Sequence, residues 1–223
     1  AAYLPLLLHS ALPDSTMPFA ALALGACLLM TRIAGDPRDG RLLDPRLVAL
    51  GVVLGLTALT RNEAVWLALT WVIIAWRVRD ASPAVRVRLI GVVGVVAFVV
   101  FLPWMLRNLD VFGSPLPGQA ITNAFSIRGE DVFAWNDVPT LARHLAIGPV
   151  PLVELRILGL GHNLLSVLML SGFPVALIGL VGLVGRAGAA RGAAVRPVVL
   201  VGLLAFLVTG LVFFLIEKDS AFV

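Results

Sequence analysis

Long apolar stretches divided by short charged clusters run the length of this chain. Residues 89–106, 164–185 and 197–216 each approach the about 20 mainly apolar residues that a membrane-spanning helix requires. Shorter apolar stretches cover residues 1–12, 17–31, 47–60 and 64–76, the last two divided by Arg61-Asn62-Glu63. No repeat of solenoid length is present. The pattern predicts an all-α fold, a polytopic transmembrane helix bundle occupying residues 1–223 as one domain.

The clusters between the stretches set an orientation, because Lys and Arg accumulate on the cytoplasmic side of membrane proteins. Arg32, Arg38, Arg41 and Arg46 share one cluster, Arg77, Arg79, Arg86 and Arg88 a second, and Arg186, Arg191 and Arg196 a third. These eleven are most of the 17 Lys and Arg, and only Asp36, Asp39, Asp44 and Asp80 accompany them. If all three clusters are cytoplasmic, residues 47–76 must cross twice, as a hairpin with its tip at Arg61-Asn62-Glu63. The same parity puts Pro13-Asp14-Ser15 in an outer turn and makes residues 107 to about 162 a large outer loop.

Composition narrows the class further. Of the 223 residues 60% are hydrophobic and 13% charged, against about 45–50% and about 25% in soluble domains. The same figures exclude disorder. The formal net charge of +4 does not point to nucleic acid, since the basic residues form no face with interleaved aromatics. Cys27 is the single cysteine, so neither a disulfide framework nor a thiolate metal cluster is expected. His9, His144 and His162 have no ligand spacing around them, and no metal ligand is assigned. Phosphate loops, zinc-protease motifs and nucleophile elbows are absent from the sequence, which speaks against ATP-driven chemistry. The chain opens on Ala rather than Met and ends in Ala221-Phe222-Val223, so it is expected to be an internal piece of a longer protein.

The candidate chemistry lies in the polar residues at the outer ends of the apolar stretches. The hairpin arms are about 20 Å long at 1.5 Å per residue, shorter than the roughly 30 Å hydrocarbon core, which sinks Arg61 and Glu63 below the outer surface. Ionisable groups at such depth normally face a polar cavity or a partner. Around a turn Arg61 and Glu63 can pair, so a salt bridge capping the hairpin is an equal reading. Asp14 reads as a helix cap ahead of Ser15-Thr16-Met17-Pro18, and as a cap it needs no further role. Arg107-Asn108 follows Pro103-Trp104 at the end of a long helix. It reads either as an interfacial anchor closed off by Pro and Gly, or as a cation for a lipid-linked phosphate. Beyond it, Asn136-Asp137-Val138-Pro139 with Leu141, Arg143 and Leu145 predicts a short capped amphipathic helix on the membrane, serving as a surface rest or an acceptor contact. Gly51 and Gly55 form a small-xxx-small pair suited to helix packing.

Taken together, Pro13-Asp14-Ser15-Thr16-Met17-Pro18-Phe19, then Gly55-Leu56-Thr57-Ala58-Leu59-Thr60-Arg61-Asn62-Glu63, then Pro103-Trp104-Met105-Leu106-Arg107-Asn108 with Phe112-Gly113-Ser114-Pro115, resemble the GT-C integral-membrane glycosyltransferases. The likeness is to the branch that includes protein O-mannosyltransferases and aminoarabinose lipid A transferases (glycosyltransferase family 39), and covers most of residues 1–117. It implies an enzyme of the bacterial plasma membrane that moves a sugar from a polyprenyl-phosphate donor to a protein, lipid or glycan acceptor on the extracytoplasmic face. It further implies Asp14 as a catalytic acid or base, Arg61 and Arg107 as donor-phosphate ligands, and Glu63 and Asn108 in support. The family's principal acid, in its first outer loop, would lie upstream of Ala1, which implies that this piece is inactive by itself. Membrane lipids are the expected surroundings, and no cofactor is implied. The competing classes are a secondary transporter or flippase, and a non-catalytic membrane scaffold subunit. Against a transporter, the one short hairpin has no counterpart in a second half.

Overall fold

The computed structural model describes residues 15–35, 44–77, 81–116, 125–127, 131 and 137–170. Helix is the regular structure throughout these residues, and they contain no strand. The helices are α1 (Thr16–Gly35), α2 (Pro45–Thr60), α3 (Ala64–Trp76), α4 (Pro83–Phe112), α5 (Leu141–Ala146) and α6 (Pro149–Leu170). They fall into two compact units, α1 to α4 in one and α5 with α6 in the other.

Proline and its preceding cap set where two of the helices begin. Asp44 stays extended and accepts the amide of Arg46 at 2.9 Å, with Pro45 filling the position that needs no donor. Ser82 does the same before Pro83, accepting from the amide of Val85. Arg46 folds back on its own cap and pairs with Asp44 at 2.7 Å, so the buried carboxylate is compensated.

Residues 61–63 break the apolar stretch 47–76 into the expected hairpin. Arg61 leaves the helix in an extended conformation, and its amide donates to Thr57 O. The α2 arm packs most extensively on α4, and its two glycines show why. A Cβ on Gly51 would lie 2.6 Å from Cβ of Val96, and one on Gly55 2.7 Å from Cβ of Val100. The helices meet where only hydrogen fits. On the other arm the indole N–H of Trp71, buried, donates to Leu89 O of α4 at 3.3 Å. Met30, Ile33, Leu50, Leu67, Trp71 and Val93 form the centre of this unit. Its buried hydroxyls are satisfied by their own helices: Thr57 donates to Val53 O and Thr70 to Trp66 O.

Among the described residues two helices, over Thr16–Ala34 and Pro83–Phe112, are long and apolar enough to cross a membrane. Both present apolar side chains outward, among them Leu24 and Leu28 on α1 and Val87, Val95 and Val99 on α4. The α4 helix is longer than the apolar stretch 89–106 that announces it. It passes through Pro103 and ends only at Gly113, whose φ of 68° gives the left-handed turn that accepts no side chain easily. Arg107-Asn108 therefore lies inside the helix rather than at its end. The expected stretches at residues 1–12 and 197–216 fall outside the described residues, and of residues 164–185 only 164–170 are described, as the end of α6.

Candidate functional site

In the α1–α4 unit a cavity of about 470 Å³ lies between the hairpin and α4. Leu54 and Ala58 of α2, Ala68 and Val72 of α3, and Ala97 and Phe101 of α4 contribute to its walls. The rest of the lining is likewise apolar except at the hairpin turn, where Arg61 and Asn62 border it. The space is thus greasy along its length with a guanidinium at one end.

The guanidinium is held in place from two sides. Nε and Nη2 of Arg61 both donate to Oε1 of Glu63, at 3.1 and 2.8 Å, while Nη1 donates to the hydroxyl of Thr16 at 3.3 Å. Both partners of the ion pair remain about two-fifths exposed, so the pair is no sealed core element and water or a ligand can reach it. Glu63 precedes α3 yet makes no side-chain cap bond, since its carboxylate is turned to Arg61. Burial works against its ionised form, but the Arg61 hydrogen bond, its own backbone N–H and the charge of Arg61 outweigh that. The carboxyl is held below the usual carboxylate range. The bond to Thr16 brings the first turn of α1 to the hairpin tip. Asp14, two residues earlier in the chain, lies outside the described residues.

The Arg-Asn pair of α4 divides. Phe98 and Phe101 line the cavity, and the helical period carries that face on to Trp104 and Asn108. Asn108 is 3% exposed, and Trp104 stacks at a tilt on Phe101 with ring centroids 5.0 Å apart. Arg107, about 100° around the helix from Asn108, is exposed, makes no hydrogen bond or ion pair with the described residues, and does not line the cavity. Of the residues singled out from the sequence, Arg61 and Glu63 come together at the cavity mouth. Arg107 does not join them.

The unit holding α5 and α6 contains a second polar cluster. Arg143 donates to Asp131 at 2.8 Å and to Asp137 at 3.2 Å. Asp131, buried, also accepts the amide of Ile127, and Nδ1 of His144 lies 3.1 Å from Phe125 O. The predicted helix is present over Leu141–Ala146, but its cap is Thr140, which accepts from the amide of Arg143, rather than Asn136 or Asp137. Asp131 carries no signal in the sequence, since its partner stands twelve residues away on a separate element. Its alternation of Asp and Arg is as common on solvated surfaces.

Compared with protein-family models, curated proteins and solved structures, the chain matches none.

Proposed function

We propose that this chain is the transmembrane part of a GT-C-type glycosyltransferase, a polytopic bundle of the bacterial plasma membrane that transfers sugar from a polyprenyl-phosphate donor on the extracytoplasmic face. The observation that carries the reading is the form of the cavity: apolar walls of aliphatic and phenyl groups, bordered at one end by Arg61 and Asn62. A polyprenyl phosphate has the matching division, an isoprenoid chain that prefers the apolar walls and a phosphate that prefers a planar, multi-donor cation. The outward apolar faces of α1 and α4 support a lipid setting, since such faces are too extensive for water.

In this mechanism the acceptor hydroxyl oxygen forms a bond to the anomeric carbon as the bond from that carbon to the phosphate oxygen breaks. The bonding pair leaves with the phosphate, and the hydroxyl proton passes to a carboxylate, for which Asp14 is the candidate on this chain. Arg61 stabilises the charge that grows on the departing phosphate, the contribution that usually dominates such transfers. Glu63 holds the guanidinium in position beforehand, so little reorganisation accompanies the reaction. Asn108 extends the inner face of α4 toward the headgroup. Arg107, exposed and away from the cavity lining, takes no part at the phosphate in this reading.

A photoreactive isoprenyl phosphate tests the site. Cross-linking is expected to map to α4 around Phe98 and Phe101. Arg61→Ala is expected to reduce capture by about tenfold to hundredfold, from the roughly 1.5–3 kcal/mol of a charge-assisted hydrogen bond, and Arg107→Ala, away from the cavity lining, to leave it unchanged. Cross-links elsewhere, or capture unchanged in Arg61→Ala, would discard the assignment.

A further inference from the structure

The cavity between the hairpin and α4 has a floor as well as a mouth. Helices α2 and α4 run in the same direction, since Gly51 meets Val96 and Gly55 meets Val100. Arg61, at the end of α2, therefore lies beyond the level of Phe101, and the opposite end of the cavity is the one bounded by Trp71, Ile90 and Val93. Trp71 and Val93 are buried and belong also to the packed centre of the unit. The indole N–H of Trp71 is committed to Leu89 O, which fixes the ring and leaves it no free polar group. Along one side the lining is different: Val65 and Val72 of α3 and Phe98 of α4 remain exposed, so the space opens sideways there.

These limits set how much of an isoprenoid chain can be enclosed. From Ile90 to Phe101 the wall of α4 is about 16 Å long at 1.5 Å per residue. An extended polypeptide advances about 3.3–3.6 Å over three bonds, so the four chain bonds of one isoprenoid unit span about 5 Å, and the wall accommodates about three units. The volume leads to a similar figure independently. A 150 Å³ protein cavity takes one benzene, or roughly 25 Å³ per carbon. At that density the cavity of about 470 Å³ holds between about three and four five-carbon units.

We propose that the cavity measures the carrier: it encloses about three isoprenoid units next to the phosphate, and the floor at Trp71 turns the remaining chain out past Val72 into lipid. Chain length beyond that point is not sensed. The limit is one of shape rather than affinity, because exchanging a lipid acyl chain for an isoprenoid one against apolar walls is close to neutral. The inference rests on the reading of this site as one for polyprenyl phosphate and adds Trp71 to it as the residue that sets the enclosed length.

The test is a footprint along the chain, with the protein in vesicles of phosphatidylethanolamine and phosphatidylglycerol. Isoprenyl phosphates of one fixed length, which partition equally, carry a photoreactive group on the first, third or sixth unit from the phosphate. First-unit cross-links are expected at Ala58 and Phe101, third-unit cross-links at Trp71 and Ile90, and sixth-unit cross-links on lipid. Gly94 lines the cavity and a Cβ there meets nothing within 4 Å, so a larger side chain grows into the open space. Gly94→Leu is expected to lower third-unit capture at Trp71 by about tenfold or more, as overfilling a packed space does. Gly91→Leu, equally unobstructed but off the lining, should leave it unchanged. Sixth-unit cross-links at Trp71, third-unit cross-links on lipid alone, or third-unit capture indifferent to Gly94→Leu overturn the inference while first-unit labelling persists. Absence of first-unit cross-links at both Ala58 and Phe101 removes the polyprenyl-phosphate reading and this inference together.

Discussion

Arg61 is the residue on which most depends, and its neighbours fix its behaviour. Two of its nitrogens are committed to one oxygen of Glu63 and a third to Thr16. Glu63 is therefore expected to act by positioning. Because its carboxyl is lowered in the folded state, the stability it contributes is complete above the unfolded value of about 4.5 and is lost as pH falls through the folded value. Thermal unfolding in detergent should accordingly decline more steeply on acidification below pH 4.5 for wild type than for Glu63→Gln. Parallel declines would show that the pair contributes nothing to folding. That Arg61 and Glu63 pair was legible from their spacing around a turn. That Asn108 rather than Arg107 continues the cavity face was not, because it depends on the helix running through Pro103 with its phase intact. Adjacent letters in a sequence do not reveal which of them looks inward.

Among the elements, the contact between α2 and α4 was the most legible. Gly51 and Gly55 announce close approach, and Val96 and Val100 stand where a Cβ would go. Gly51→Ala should destabilise the chain by about 1–3 kcal/mol through overpacking. Gly91→Ala, with nothing within 4 Å of the new methyl, should be neutral or gain roughly 0.5–1 kcal/mol from helix propensity. Comparable unfolding midpoints for the two would contradict the packing described. Helix ends were less legible: the apolar stretch 89–106 marks the part of α4 suited to lipid, whereas hydrogen bonding carries the helix on to Gly113. In the other unit, Arg143→Ala removes the 2.8 Å ion pair from the buried Asp131, at a cost of about 1–3 kcal/mol. Hydrogen exchange at the amide of Ile127, which Asp131 accepts, should then accelerate by at least about tenfold. An unchanged rate would assign the loop's order to other contacts.

At the scale of the whole molecule, alternating apolar stretches and arginine clusters conveyed the helical class and the hairpin. They did not convey the cavity, which arises from three helices converging and from Arg61 being turned to its mouth by Glu63 and Thr16. In the proposed function, the greasy space ending in a held guanidinium takes a long apolar chain with an anionic head. The central claim is that this ligand is the leaving group of a sugar transfer. It is tested most directly by supplying radiolabelled polyprenyl-phosphate sugars to membranes containing the full-length protein and comparing wild type with Arg61→Ala and Asp14→Asn, each verified as folded. The account predicts transfer by wild type and a loss of about 100-fold or more in Arg61→Ala, the scale seen when a charge-stabilising donor is removed, with Asp14→Asn also impaired. Wild-type rates of transfer in both folded variants would contradict it.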